Sequence, residues 1–222
     1  MVIRLVNSIE AEKIVIVGTG GFAREVAWLI SDNQFEEAIG FVTDDTTMYG
    51  KTLCNLPVLG PKSWLYSHQD VYVVVAIGDP RARAKVTREL EANNVKFTSV
   101  DHNTVQKSQF VKWGEGCIIC AGVILTSQIE IGDHVHINLN ATIGHDVVIG
   151  DYVTIAPGAN ISGNVTIGDG VDIGTNAVII QGKTIGRGAI VGACAAVVKD
   201  VEFNTVVVGI PAKPIKKAEP FI

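Results

Sequence analysis

From Trp113 to Val201 the chain places an aliphatic residue at every sixth position: Ile119, Leu125, Ile131, Ile137, Ile143, Ile149, Ile155, Ile161, Ile167, Ile173, Ile179, Ile185, Val191 and Val197. Four residues after each comes a small or apolar residue, from Val123 through Ala141 and Ala159 to Val201, and only Lys183 breaks this second series. Gly, Asp and Asn fill the intervals, as in Ile131-Gly132-Asp133 and Ile149-Gly150-Asp151. An α-helix does not have this period, and an alternating strand does not carry turn residues at each sixth position. The pattern predicts a parallel β-helix, with one short strand and one turn per hexapeptide.

Stacking explains the period. One hexapeptide cannot bury its aliphatic residue alone, whereas a coil of three directs three such residues into a narrow prism. The fourteen aliphatic corners with Trp113 make fifteen hexapeptides, hence five coils. At about 4.8 Å per coil the column is roughly 24 Å tall. The unbroken period predicts that no loop is extruded from this stretch, which restricts where a substrate could bind.

The first hundred residues follow another pattern. Lys13 to Val17 reads as a strand, followed by a glycine turn and a helix through Ile30. A second strand, Ile39 to Thr43, ends at Asp44 and Asp45; a third, Val71 to Ile77, is closed by Gly78-Asp79-Pro80. Arg81 to Asn93 reads as a helix with Pro80 near its start. This β-α-β alternation predicts a small parallel sheet with a ligand crevice at the carboxyl ends of its strands. The expected division is an α/β domain over 1–101 and a β-helix with a C-terminal tail over 102–222. Gly18-x-Gly20-x-x-Ala23 fits a relaxed dinucleotide fingerprint, and Asp44 falls about twenty residues on, where a ribose ligand is expected. Such a motif is weak alone. A nucleotide-containing ligand is the favoured reading, because a dehydrogenase using NAD(P) needs a longer nucleotide domain. A merely structural turn is the alternative.

Composition narrows the classes. A 222-residue chain with 47% apolar residues supports a packed core, and a net charge of −5 offers no basic stripe for nucleic acid. No apolar run approaches a membrane span, and the N-terminus lacks the apolar stretch of a signal peptide. With four cysteines the cytoplasm is the expected compartment. Cys117 and Cys120 form a C-x-x-C pair, but with no second pair or nearby histidine they read as packing residues, and no metal site is expected.

Histidine is the obvious general base near neutral pH. His68 and His102 lie in linker-like stretches and are expected in solvent; His134 occupies an ordinary turn position and His136 precedes a corner isoleucine. His145 differs. In Ile143-Gly144-His145-Asp146-Val147 it falls on a turn outside the prism, beside a carboxylate that can orient it. Counting one coil as eighteen residues sets Gly163 beside it, leaving a notch with exposed backbone N–H groups that could stabilise a thioester oxyanion. A solvated surface histidine is the alternative.

These residues carry a family resemblance. VGTGGFARE (17–25), FVTDD (41–45), AIGDPRAR (76–83), hexapeptides with Gly-His-Asp, then VGIPAK (208–213) resemble the bacterial sugar acyltransferases related to sialic acid O-acetyltransferases and nucleotide-linked 4-amino-sugar N-acetyltransferases. The resemblance spans nearly the whole chain. It implies a left-handed winding, although parallel crossovers are normally right-handed. It also implies a homotrimer with each active site between two prisms and acetyl-coenzyme A along the groove. By this resemblance His145 is the catalytic base, assisted by Asp146. Gly18, Gly20, Gly21, Phe22, Asp44, Asp45, Gly78 and Asn138 contact the nucleotide-linked sugar. Ile155, Ala156, Gly163, Lys183, Ile210, Pro211 and Lys213 contact the coenzyme, with Arg187 and Lys199 as further candidates for its phosphates. Two positions depart from the family: Phe22 stands where many members have histidine, and Thr154 where some have a second active-site histidine.

The function implied is transfer of an acetyl group to the 4-amino group of a nucleotide-linked dideoxy sugar, by direct attack and without a metal. A sugar O-acetyltransferase is the alternative, and a non-catalytic hexapeptide scaffold or nucleotide-sugar sensor the third reading.

Overall fold

The structure is a computed structural model that describes residues 12–33 and 36–221. The first eleven residues of the expected N-terminal domain lie outside them. That domain is built on β1 (Glu12–Val17), α1 (Gly21–Ser31), β2 (Glu36–Val42), β3 (Thr52–Leu53), β4 (Leu56–Gly60), β5 (Tyr72–Val75), α2 (Pro80–Glu91) and β6 (Lys96–Phe97). The sheet order is β3-β4-β2-β1-β5-β6, parallel except for β3 with β4. The fully buried run Ile14 to Val17 explains why β1 is central and flanked on both sides. The β3–β4 hairpin is absent from the pattern-based expectation. Its two-residue turn, Cys54-Asn55, has both residues at positive φ, and without a glycine the turn signal is faint.

Beyond it the chain winds into the expected three-sided parallel prism, left-handed in its winding. One face stacks Val100–Asp101, Ile118–Ile119, His136–Ile137, Thr154–Ile155, Asp172–Ile173, Ile190–Val191 and Thr205–Val208. The second stacks Gln106–Lys107, Ile124–Leu125, Thr142–Ile143, Asn160–Ile161, Val178–Ile179 and Ala196–Val197. The third runs from Val111–Trp113 to Thr184–Ile185. All fourteen periodic aliphatic residues are buried in one continuous core. Each coil turns on residues with positive φ at six-residue intervals, which is why Gly and Asn recur at those positions.

The prism begins one coil before the repeat does. Its first corners are Asp101, Lys107 and Trp113 in place of aliphatic residues, because this coil closes an end that faces solvent. There Lys107 pairs with Asp101 at 2.6 Å and lies 4.2 Å over the Trp113 ring. The prism is therefore longer than the five coils that the repeat predicts. At the other end Ile190 pairs with Val206, a shortened coil, and Lys213–Lys217 returns antiparallel to close the sheet.

The N-terminal domain rests on the first face of the prism. Ile14, Ile16, Ala23, Val26 and Ile30 share a buried cluster with Val100, Ile118 and Cys120. Cys120 is thereby a packing residue, as is Cys117; burial pushes their thiols up to about 12 and about 11 respectively.

Candidate active site

His145 sits where the second face turns into the third. The strand Thr142–Ile143 leads to Gly144, where a Cβ would come within 2.6 Å of the Gly163 nitrogen, so only glycine passes. Asp146 then takes φ 56°, which folds its carboxylate back on its neighbour: Oδ2 lies 2.7 Å from His145 Nδ1. An ionised carboxylate only accepts, so Nδ1 carries the proton and Nε2 keeps its lone pair. Ile143 pairs with Ile161, and Asn164 N–H donates to the His145 carbonyl at 2.8 Å, which sets Gly163 directly beside the imidazole. A Cβ on Gly163 would stand 2.6 Å from His145 Nε2 and Cε1. The imidazole is 55% exposed and the Asp146 carboxylate 46%, so the pair stands at the surface of the prism.

The loops after β1, β2 and β5 gather at the carboxyl ends of these parallel strands, where the sequence predicts a crevice. Gly18 takes φ +113° and packs against the Ala76 carbonyl, so backbone geometry demands glycine there. Gly20, Gly21 and Gly78 are different: a Cβ on any of them would meet nothing within 4 Å. The fold does not require these three glycines, and their bare backbone leaves room above the start of α1. Gly20 caps that helix without a side-chain hydrogen bond, so N–H groups of the first turn stay available to an anion.

Asp44, the expected ribose ligand, and Asp45, expected at the same substrate, are already engaged. Asp45 caps the short helix Thr46–Met48 through Thr47 N–H (2.9 Å) and hydroxyl (2.7 Å), which hold its carboxyl below the ordinary range. Asp44 is slightly desolvated, but Lys62 more than offsets this by a backbone N–H at 3.1 Å and an ammonium at 3.0 Å, so it too is held low. Lys62 in turn reaches Glu89 at 2.7 Å.

Between the N-terminal domain and the prism lies a cavity of about 200 Å³ lined by Phe22, Glu25, Gly78, His136, Asn138, Leu139, Thr154 and Pro157. Asn138 folds its Oδ1 onto the Leu139 N–H at 2.8 Å. The structure thus brings Phe22, Gly78 and Asn138 together. His145 does not line this cavity; it occupies the next corner of the coil.

Pattern alone did not reveal the buried polar group beneath the cavity. Arg83 of α2 is fully buried, and burial draws its guanidinium down to about 9. It donates to prism and N-terminal carbonyls and to His136 Nδ1 at 3.0 Å. The signal was its place on the inner face of α2 with Pro80, Ala84, Thr87 and Leu90, spacing at which a helix normally buries apolar residues. His136 is buried against Phe22, ring centroids 5.1 Å apart, so the Phe22 position still meets an imidazole, supplied by the prism. His102 is not in solvent: it is 3% exposed, packs on Trp28 and stands 3.0 Å from the Asp32 carboxylate. His68 stacks on Trp64 at 3.6 Å.

Of the residues expected at the coenzyme, Ile155 is corrected: its side chain is wholly inside the prism core, and its carbonyl is taken by Asn138 N–H at 2.8 Å. Ala156 and Lys183 are half-buried. Ile210 (78% exposed), Pro211 and Lys213 project from the far end of the prism. Arg187 is engaged by Asp169 at 3.7 Å and by the Phe221 ring. Lys199 borders a cavity of about 470 Å³ at that end with Lys216, Lys217, Ala212 and Pro214; the two further lysines were not anticipated. Among the described residues no helix is long and apolar enough to cross a membrane.

Comparison with known proteins adds to this geometry. Residues 13–90 match the PglD N-terminal domain, and residues 128–163 and 146–181 match the bacterial transferase hexapeptide of six repeats. GDP-perosamine N-acetyltransferase of Escherichia coli O157:H7 is 33% identical over 137 residues, which span 59% of this chain and 61% of that relative. The acetyltransferase domain of PglB from Neisseria gonorrhoeae FA1090, solved with acetyl coenzyme A, is 32% identical with a TM-score of 0.87, over 92% of this chain and 100% of that one. A histidine-to-asparagine variant of perosamine N-acetyltransferase from Caulobacter crescentus, solved with CoA and GDP-perosamine, is 31% identical with a TM-score of 0.87, over 92% and 97%.

Proposed function

The chain belongs to the hexapeptide-repeat sugar acetyltransferases with a PglD-type N-terminal domain, and on that premise we propose that it transfers an acetyl group from acetyl-coenzyme A to the 4-amino group of a nucleotide-linked dideoxy sugar. The observation that carries the reading is the imidazole of His145, oriented by Asp146 with its lone pair at Nε2, over the notch at Gly163. The amine attacks the thioester carbonyl and forms the C–N bond. His145 Nε2 takes the amine's proton, and the coenzyme thiolate leaves with its bonding pair and is then protonated. At Gly163, which the His145 ring covers, the Ser162 and Asn164 N–H groups already donate within the prism, so the Gly163 N–H alone is left to stabilise the oxyanion.

The nucleotide lies over the crevice, with its phosphates at the start of α1 by Gly20 and Gly21 and the sugar in the cavity by Phe22 and Asn138. The coenzyme runs along the prism from Gly163 towards Lys199 and Ile210. The crevice and His145 lie at different corners of one prism, so each site is completed by a neighbouring copy, in a homotrimer. The exposed aliphatic residues Ile124, Val178, Ile180 and Val198 of the second face supply apolar surface for such contacts. The four free cysteines accord with a cytoplasmic enzyme.

The test is coenzyme A release from acetyl-coenzyme A with a panel of nucleotide-linked 4-amino sugars. Turnover is expected with at least one amine, and His145→Asn should lower it by about 10²–10⁴-fold, the usual contribution of a general base. Near-normal turnover in that variant would remove His145 from its role. Acetylation of hydroxyl but not amino sugars would replace the reading with O-acetyl transfer.

A further inference from the structure

Among the described residues Arg83 makes no ion pair with a carboxylate; Asp172 and Asp79 favour its charge only from beyond contact. Its Nε donates to the His134 carbonyl at 3.0 Å. Its Nη1 donates to the carbonyls of Ile77 at 2.7 Å and Gly78 at 3.1 Å and to His136 Nδ1 at 3.0 Å. Its Nη2 donates to the carbonyls of Tyr152 at 2.7 Å and Val153 at 3.2 Å and to the Thr154 hydroxyl at 3.0 Å. Every acceptor is neutral. Burying an ion so is costly, and apolar residues of the same volume would dock one domain on the other at least as well. What they could not do is hold several specified carbonyls at fixed positions, which the planar fork of guanidinium does.

The acceptors fall into two groups. Ile77 and Gly78 form the loop after β5, and the other five belong to two successive coils of the prism. Thr154 closes the network from the far side: its hydroxyl accepts from Arg83 and donates to the Gly78 carbonyl at 2.7 Å. The Gly78 carbonyl therefore has two donors, one from each direction. Gly78, His136 and Thr154 also line the cavity with Phe22 and Asn138. Since arginine cannot accept, the His136 ring presents its lone pair at Nδ1, and its rotation is fixed with it.

We propose that Arg83 is a positioning residue for the acyl acceptor: through Gly78, Thr154 and His136 it fixes the wall of the acceptor cavity against the prism, so that the sugar nitrogen arrives at the reacting thioester. This role rests on the transfer reaction proposed above. Arg83 itself touches no substrate. Lysine cannot replace it, because a single ammonium nitrogen cannot span the spread of acceptors held by Nε, Nη1 and Nη2.

The experiment is steady-state kinetics of the full-length enzyme with each substrate varied in turn. Arg83→Lys is expected to raise KM for the nucleotide sugar by about tenfold or more, the loss that follows from a broken charge-assisted hydrogen bond, with KM for acetyl-coenzyme A unchanged within about twofold. Thr154→Val should shift the same constant in the same direction, and Thr154→Ser should behave as wild type. The double variant R83K/T154V should be no worse than R83K alone, because both act through one network. If Arg83→Lys does not fold, the Thr154 pair still decides: a wild-type KM in T154V overturns the proposal. Parallel rises in both KM values, or additive effects in the double variant, overturn it as well. A wild-type enzyme that turns over no nucleotide sugar would instead overturn the transfer reaction, and this role with it.

Discussion

The imidazole of His145 lies against the α-carbon of Gly163, one coil further along the prism, at a distance that leaves no room for a methyl group. Gly163 does not have positive φ, so alanine is compatible with its backbone. The clash would therefore fall on the ring. Gly163→Ala should keep its melting temperature within a few degrees yet lose about 10²-fold in turnover, the effect of displacing a reacting group by about an ångström. Thermal unfolding and initial rates on one preparation check this, and unaltered turnover would place the reacting centre elsewhere.

Asp146 combines two tasks that a substitution can separate. Its φ of 56° suits asparagine as well as aspartate, so Asp146→Asn retains the turn. The amide cannot act as a carboxylate towards Nδ1, and the ring loses its fixed tautomer. Turnover should fall by about 10- to 100-fold with the fold intact, a loss of the order seen when the partner that orients a functional histidine is removed. Asp146→Ala should lose at least as much and also destabilise the turn. The comparison is made by rates beside a urea titration.

The prism was legible because its period is strict: each coil repeats one local solution, so Ile143, Ile161 and Ile179 announce both the fold and the register. His145 and Gly163 followed by counting. What the pattern did not contain is whatever depends on docking one domain on the other. His102 and Arg83 are polar in sequence and buried in the fold, because the surface that covers them belongs to a distant segment. The end coil was missed for the opposite reason. Asp101, Lys107 and Trp113 satisfy a terminal rung by charge and ring contact, where the repeat uses aliphatic residues. Ile155, expected at the coenzyme by resemblance, follows its period into the core.

Acid should loosen the joint between domains. Burial, only partly offset by Asp133 and reinforced by Arg83, depresses His134 to about 4; burial and Arg83 hold His136 well below its ordinary value. Both are neutral in the folded chain at pH 6, whereas in the unfolded chain they titrate near 6.5. The unfolded state binds more protons below that value, so stability falls as pH drops from about 6.5 towards 4. Each such histidine contributes a slope approaching about 1.4 kcal/mol per pH unit. Replacing His134 with Asn, which tolerates its φ of 54°, should reduce the slope by about one proton. Denaturant melts at pH 7, 6 and 5 measure it, and an equal slope in both proteins would refute the assignment.

The C-terminal tail should act as a clamp. Phe221 is 5% exposed and lies over Gly170 and Gly188, where any Cβ would strike its ring or its own Cβ. It extends an aromatic column in which His134 stacks on Tyr152 at 5.2 Å and Tyr152 meets Phe221 at 6.1 Å. The glycines at these two turns make the groove that receives a ring from elsewhere in the chain. Arg81 at the start of α2 donates to the Glu219 carbonyl at 2.6 Å and to the Gly188 carbonyl at 2.9 Å, so tail, prism and N-terminal domain meet at one point. Phe221→Ala should cost about 3 kcal/mol, within the range for deleting a buried phenyl ring. Phe221→Leu should restore part of it. Gly170→Ala should expel the ring and reproduce the loss, with added strain from its φ of +62°. Because Phe221 packs at the corner of Gly170 and Gly188 and not at that of His145, kcat should stay near wild type below the melting temperature of each variant; a fall in kcat without a fall in stability would show that this end of the tail acts on the site instead.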